Sequence, residues 1–161
     1  MKRNRGFSLI EVLVVLGIIG ILSSFITPKV MDYTAKAKEV KVKSLLESLR
    51  TASEMYYLEE GKPFKDNPQG AINKDDMEKL EEYLSNNSKS LFKDGDTELT
   101  VEIGGSRAAE DGEIVRGGEV IFTTADPDKT NSKSDGIKIW VTPKDDTTKD
   151  YTLDGELWTE L

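Results

Sequence analysis

Cysteine and histidine are both absent from the 161 residues. Without cysteine no disulfide can staple the fold, even in an exported protein whose compartment would permit one. Without either residue a Ser-His-Asp or Cys-His centre is impossible, and the common metal-hydrolase ligand sets are missing. The adjacent carboxylates Asp75-Asp76 and Asp145-Asp146 are the remaining acid/base candidates, for glycoside chemistry. Such pairs on loops and helix starts face water, and neither has a nameable perturbing environment, so catalysis is not expected. Basic charge is also short, with 22 Lys and Arg against 30 Asp and Glu. That balance repels nucleic acid and anionic surfaces, so no nucleic-acid partner is expected.

One feature is present in excess. A basic leader, Met1 to Gly6, gives way at Phe7 to an apolar run that reaches Ile26 and contains a single ionisable residue, Glu11. A helix over residues 7–26 rises about 30 Å, enough to cross the hydrocarbon core of a bilayer. An acid near one end of such a span costs on the order of 1–3 kcal/mol to insert, so a compensating partner is expected. A secretory signal peptide would have a shorter apolar core and a small-residue cleavage site, which Ile26-Thr27-Pro28-Lys29 is not. A plain signal anchor fits the length but explains neither Glu11 nor the abrupt leader. A core helix of a soluble domain would need a polar face, and residues 12–21 offer none.

Arg5-Gly6-Phe7-Ser8-Leu9-Ile10-Glu11-Val12, continued through Gly17, Gly20 and Pro28, resembles the N-terminus of the type IV pilin and type II secretion pseudopilin family. The resemblance covers about the first 30 residues and becomes looser beyond residue 60. It implies cleavage by a prepilin peptidase between Gly6 and Phe7, N-methylation of Phe7, and a role for Glu11 as the acid of the apolar helix. It also implies self-association into a filament, with a platform membrane protein and a cytoplasmic assembly ATPase as partners. The protein would first sit in a bacterial inner membrane as a single-pass chain, leader inside and head outside. The filament would then extend into the periplasm or beyond. Charge alone does not orient the span, because Lys29, Lys36, Lys38, Lys41 and Lys43 follow it. Many Gram-negative type IV pilins close a C-terminal loop with a disulfide, and this chain departs from that pattern, which leans the resemblance toward a pseudopilin.

Three segments are expected on this reading: a cleaved leader, 1–6; a membrane and filament-core helix, 7–27; and an exported head, 28–161. Removing Lys2, Arg3 and Arg5 leaves 19 basic residues against 30 acidic ones, a side-chain charge near −11. Once the leader is gone, the Phe7 amine is a free cation at the edge of an apolar helix. Pairing with Glu11 of a neighbouring subunit would neutralise both charges and fix the register of assembly. Pairing within one chain, four residues apart, is the alternative. Gly20 and Ser24, with Gly17 nearby, form a small-x-x-x-small surface that lets helices approach closely. Pro28 removes a hydrogen bond to the Ser24 carbonyl and permits a bend.

After Pro28, Val42, Leu45, Leu46, Leu49, Ala52 and Met55 or Tyr56 mark one apolar face of a helix running to about residue 60, stopped by Gly61 and Pro63. A short helix over 73–84 follows, with Asn73 as its cap and Asn86-Asn87 as its end. Strands are expected at 98–103, 119–124, 136–142 and 151–158, the last folded back at Asp154-Gly155, as an antiparallel meander. Trp140 and Trp158 read as sheet packing. The fold class is therefore α+β, a long helix packed on a small antiparallel sheet.

Asp126, Asp128, Asn131 and Asp135 are the candidate ion ligands, although their spacing lacks the glycine and glutamate of an EF-hand. Thr124-Ala125-Asp126-Pro127-Asp128 with Ser134-Asp135-Gly136 is similar to the calcium loop of major type II secretion pseudopilins, where adjacent acids stand in place of Ser134-Asp135. No cofactor is required on this reading, and calcium is the one ion the loop suggests. A different functional class stays open: a membrane-anchored binding module that uses the helix only as a tether, for DNA uptake or capture of secretion substrates.

Overall fold

The computed structural model describes residues 7–67, 69–84, 97–127 and 134–161. The chain forms two compact units, Met1–Thr34 and Ala35–Leu161. Helix α1, Leu9–Glu60, contributes to both. It passes through Pro28 without a break in helical structure. The hydroxyls of Ser24 and Thr27 donate back to the carbonyls of Ile21 and Ser23 at 2.7 and 2.8 Å, so each spends its polarity within the helix. The apolar window of α1 is long enough to cross a membrane, and none of it is buried within the protein. At the other end Gly61, with φ of 68°, donates its N–H to the Tyr57 carbonyl at 2.9 Å and closes the helix.

In the second unit α1 lies on a small sheet. Val42, Leu46, Leu49 and Ala52 are buried as their spacing predicts, with Leu45 and Tyr56 packed at the margin, while Met55 faces out. Three strands form the sheet: β1 (Thr100–Glu102), β4 (Glu119–Thr123) and β5 (Trp140–Pro143), in the order β1-β4-β5 and antiparallel throughout. Val120 and Phe122 alternate inward along β4 and stand opposite Val101 and Val141. Each such buried apolar side chain contributes about 1.5–3 kcal/mol relative to exposure. The three strands follow the expected meander, although β5 begins at Trp140, later than residue 136.

Two strands were not foreseen. Gly105–Arg107 (β2) and Ile114–Arg116 (β3) form a separate antiparallel hairpin inserted between β1 and β4. Gly104-Gly105-Ser106-Arg107 shows no apolar alternation, so periodicity has nothing to detect. The segment 151–158 is a correction: it forms single bridges, Tyr151 to Leu157 and Tyr151 to Arg107, in place of a two-stranded ladder. Its turn is as expected, with Gly155 at φ of 88° and the Thr152 N–H donating to the Glu156 carbonyl at 2.7 Å. Trp158 then enters a short 3-10 turn and is fully buried in the core.

Helix α2, Lys74–Leu80, is shorter than the expected 73–84 and continues as a 3-10 turn over Glu81–Tyr83. Asn73 caps it as predicted. The expected stop at Asn86-Asn87 lies outside the described residues. Gly104 marks the closest approach of loop and helix: a Cβ placed there would lie 2.1 Å from the Ala35 Cα, so only glycine fits against α1 at this point.

Candidate functional site

In the first unit the start of α1 carries the site. The carbonyl of Ser8 accepts the N–H groups of Glu11 and Val12 at 3.1 and 3.3 Å, which makes Ser8 the N-cap. Its own N–H donates to Glu11 Oε2 at 2.8 Å, while Ile10 N–H reaches the Ser8 hydroxyl at 3.4 Å. Ser8-x-x-Glu11 therefore forms the reciprocal carboxylate half of a capping box. This signal stands in the sequence but is hidden by the more conspicuous question of a charge inside an apolar run. Glu11 thus has an intrachain partner, the Ser8 amide, and its Oε1 holds no partner among the described residues. Phe7 is 90 % exposed, and Gly6 lies outside the described residues. A Cβ added at Gly17 or Gly20 would meet nothing within 4 Å, so both leave open helix surface beside Ser24.

The second unit is held by polar side chains of α1 that sequence periodicity passes over. Glu39 occupies a position on the buried stripe, four residues after Ala35 and three before Val42, and is only 3 % exposed. Its Oε2 accepts the Leu153 N–H at 2.9 Å, and Oε1 lies 3.2 Å from Lys43 Nζ. That second contact is an ion pair without hydrogen-bond alignment, since Oε1 has no hydrogen-bond partner. Lys43 also reaches Glu156, and Lys36 pairs with Asp154 at 2.9 Å. The hydrogen bond from Lys36 holds the Asp154 carboxyl below its ordinary range, and the same bond raises Lys36. Further along, Arg50 donates to the carbonyls of Ile139 and Leu161 at 2.9 and 2.6 Å, and Ser53 donates to that of Ile137 at 2.7 Å. Burial lowers the Arg50 guanidinium from its usual value. Helix α1 thereby clasps residues 137–161.

A second polar anchor corrects the expectation that Asp75-Asp76 faces water in its second member only, for Asp75 is exposed. Asp76 is 5 % exposed and pairs with buried Lys65 at 2.5 Å. Lys65 also donates to the Ala71 carbonyl at 2.8 Å, and Asp76 Oδ2 accepts the Asn73 N–H at 3.0 Å to complete the α2 capping box. The burial follows from that box, which turns the third residue of the helix back toward the loop and away from solvent. Tyr83, edge-on to Tyr56 with ring centroids 6.0 Å apart, donates to Glu59, and this bond pushes its phenol up to about 12. Asp145 accepts from Thr147 and Thr148, which holds it below the ordinary carboxylate range as a turn former.

Of the candidate ion ligands, Asp128 and Asn131 lie outside the described residues. Asp135 Oδ1 accepts the N–H groups of Ile137 and Lys138, each at 2.9 Å, and the Ser134 hydroxyl donates to the Thr124 carbonyl. Among the described residues no three carboxylates converge on a common point.

The pattern described as the prokaryotic N-terminal methylation motif matches residues 1–27. A type II secretion system core protein G of Klebsiella pneumoniae is 44 % identical over 59 residues, 37 % of this chain and 42 % of that protein. A type IV major pilin of Neisseria gonorrhoeae is 38 % identical over 69 residues, 43 % of this chain and 41 % of its own length. A fimbrial protein of Pseudomonas aeruginosa is 32 % identical over 152 residues, covering 89 % of this chain and 90 % of that protein. The chain belongs to the type IV pilin and pseudopilin family. No solved structure matches it. The long helix packed with a small antiparallel sheet is the arrangement of a pilin, and this pilin is a structural subunit, not an enzyme.

Proposed function

We propose that this pilin is cut between Gly6 and Phe7 by a prepilin peptidase, methylated on Phe7, and assembled through α1 into a pilus or secretion pseudopilus. Before assembly it sits in a bacterial inner membrane with residues 7–27 across the bilayer and residues 28–161 outside. A platform membrane protein and an assembly ATPase drive its extraction. The observation that carries this reading is the exposed apolar half of α1, which holds one carboxylate and is not buried by any of the described residues. Lipid solvates that surface in the monomer, and copies of α1 cover it in the filament. Glu11 keeps one oxygen for the Ser8 amide and offers the other to the Phe7 ammonium of a neighbour. That pairing relieves two charges that would separately cost several kcal/mol to bury. The relatives include a fimbrial protein, type IV pilins and a secretion-system core protein, so the choice between pilus and pseudopilus rests with the machine that this chain meets.

Gly6→Val tests the processing step. The branched side chain should block the peptidase, and the isolated protein should retain Met1 to Gly6, seen as an intact-mass difference from wild type. Normal trimming of that variant would count against the assignment.

Calcium at residues 126–135 belongs to the same proposal, with Asp126, Asp128, Asn131 and Asp135 as ligands and the second Asp135 oxygen left for the ion. A bound ion would stabilise the head by about 2.7 kcal/mol at a hundredfold excess over its dissociation constant. Thermal melting of the full chain in detergent should then shift upward with millimolar calcium, and an unchanged midpoint removes the site.

A further inference from the structure

Within the second unit, β3 is the continuation of the middle strand β4, and it lacks the neighbour that β4 has. Ile103 donates its N–H to the Gly118 carbonyl at 3.0 Å, and Gly117 donates to that of Gly104 at 3.1 Å, so the β1-β4 and β2-β3 ladders join in one register. On the other side of β4, β5 keeps pace as far as Lys144, whose N–H donates to the Glu119 carbonyl at 3.0 Å. There the chain turns away. Thr148 contacts Glu119 through its hydroxyl, Lys149 N–H donates to the Ser106 hydroxyl at 2.8 Å, and Tyr151 exchanges backbone bonds with Arg107 on the far side of β2. No described residue takes the place of β5 beside β3.

Hydrogen-bond alternation fixes what that edge offers. Arg107 turns its backbone groups away from β3 to Tyr151, so the ladder between β2 and β3 runs through Ser106 and Val115, and the N–H and C=O of Ile114 point outward. Ile114 and Val115 are 42 % and 39 % exposed. Carboxylates stand at both ends: Glu110, Asp111 and Glu113 precede the strand, and Asp145 and Asp146 lie on the turn packed against Gly118 and Glu119. The basic residues nearby, Arg116 and Lys144, have partners of their own.

We propose that β3 is a docking edge for an extended segment of another protein, one with alternating β-branched residues flanked by lysine or arginine, which adds as an antiparallel strand. Backbone bonds to Ile114 supply affinity, as in other strand additions. The pleat supplies selectivity: residues opposite Val115 and Glu113 share one face, so a β-branched side chain and a basic one fit there two positions apart. A second copy of this chain is a poor occupant, because pairing β3 with itself brings the same acids together.

A labelled peptide, Lys-Lys-Val-Thr-Val-Thr-Val-Lys-Lys, titrated into the full-length protein in detergent should give saturable fluorescence anisotropy. Ile114→Pro removes only an outward N–H and should weaken binding roughly 10-fold, and Glu113→Lys should weaken it by a similar factor. Peptides N-methylated on one set of alternate amides should lose binding while those methylated on the complementary set keep it, since only one set faces β3. These are measured on unaltered protein, so a variant that fails to fold does not cloud the result. Binding indifferent to backbone methylation would mean charge attraction alone, and no saturation at millimolar peptide would mean no docking edge. A dimer of the free protein that the peptide dissolves would assign the edge to a second copy. Each of these three overturns the proposal. Filament assembly does not enter the measurement, so failure of the filament reading would leave this edge standing.

Discussion

Glu11→Gln is expected to abolish filament formation, with sedimentable polymer falling at least ~10-fold while the processed protein accumulates in the membrane. The substitution is close to isosteric, and the amide oxygen can still accept the Ser8 N–H that Glu11 Oε2 accepts at 2.8 Å. Helix α1 therefore keeps its start. Insertion becomes easier, because a neutral side chain costs less in an apolar medium than a carboxylate. What disappears is the negative charge, and the Phe7 ammonium of each incoming subunit then has no counter-ion in the apolar bundle. Quantifying sheared filaments against membrane-bound subunit, alongside the intact mass of the trimmed chain, separates assembly from processing. Wild-type polymer from the Gln variant would sink the charge-pair mechanism, whereas a tether-only function would predict no polymer from either chain and unchanged membrane-bound protein.

Asp76→Ala should destabilise the head by about 3–5 kcal/mol, the usual consequence of stripping one partner from a buried ion pair. The effect has two sources. Lys65, itself 7 % exposed, loses its carboxylate and keeps only the Ala71 carbonyl, and the Asn73 amide loses the acceptor that completed the cap of α2. Urea unfolding of the full chain in detergent can be followed through Trp158, which is fully buried and should report loss of the core. With a slope of about 1–3 kcal/mol per molar urea, the midpoint should fall by roughly 2 M. A midpoint within experimental error of wild type would show that the pair is solvated in the folded protein.

The long helix and its buried face were legible because apolar residues recur at three and four, and that spacing survives in Val42, Leu46, Leu49 and Ala52. β4 was legible for the matching reason, since its alternation is written in Val120 and Phe122. The β2-β3 hairpin was not, because β2 is built from glycine, serine and arginine and the Ile-Val-Arg of β3 is three exposed residues long, too short for an alternation to show. Polar anchors were the larger blind spot. Glu39 and Asp76 look like surface acids when residues are sorted by type, and only their helical phase and cap geometry betray burial. Glu39 stands on the apolar stripe; Asp76 stands third in a helix opened by Asn73. The start of α1 stands out in the sequence through Glu11, but Ser8 was overlooked as the amide that donates to its carboxylate.

The clasp on α1 also bears on how the head forms. Lys36, Glu39, Arg50 and Ser53 find their partners between residues 137 and 161, at sequence separations from 84 to 118. Closing loops of that size is slow, and it cannot begin until the downstream segment has emerged. If the head is exported as proposed above, a membrane pore would receive α1 first and leave its buried acid waiting, so the head would stay pliable during transit and lock only afterwards.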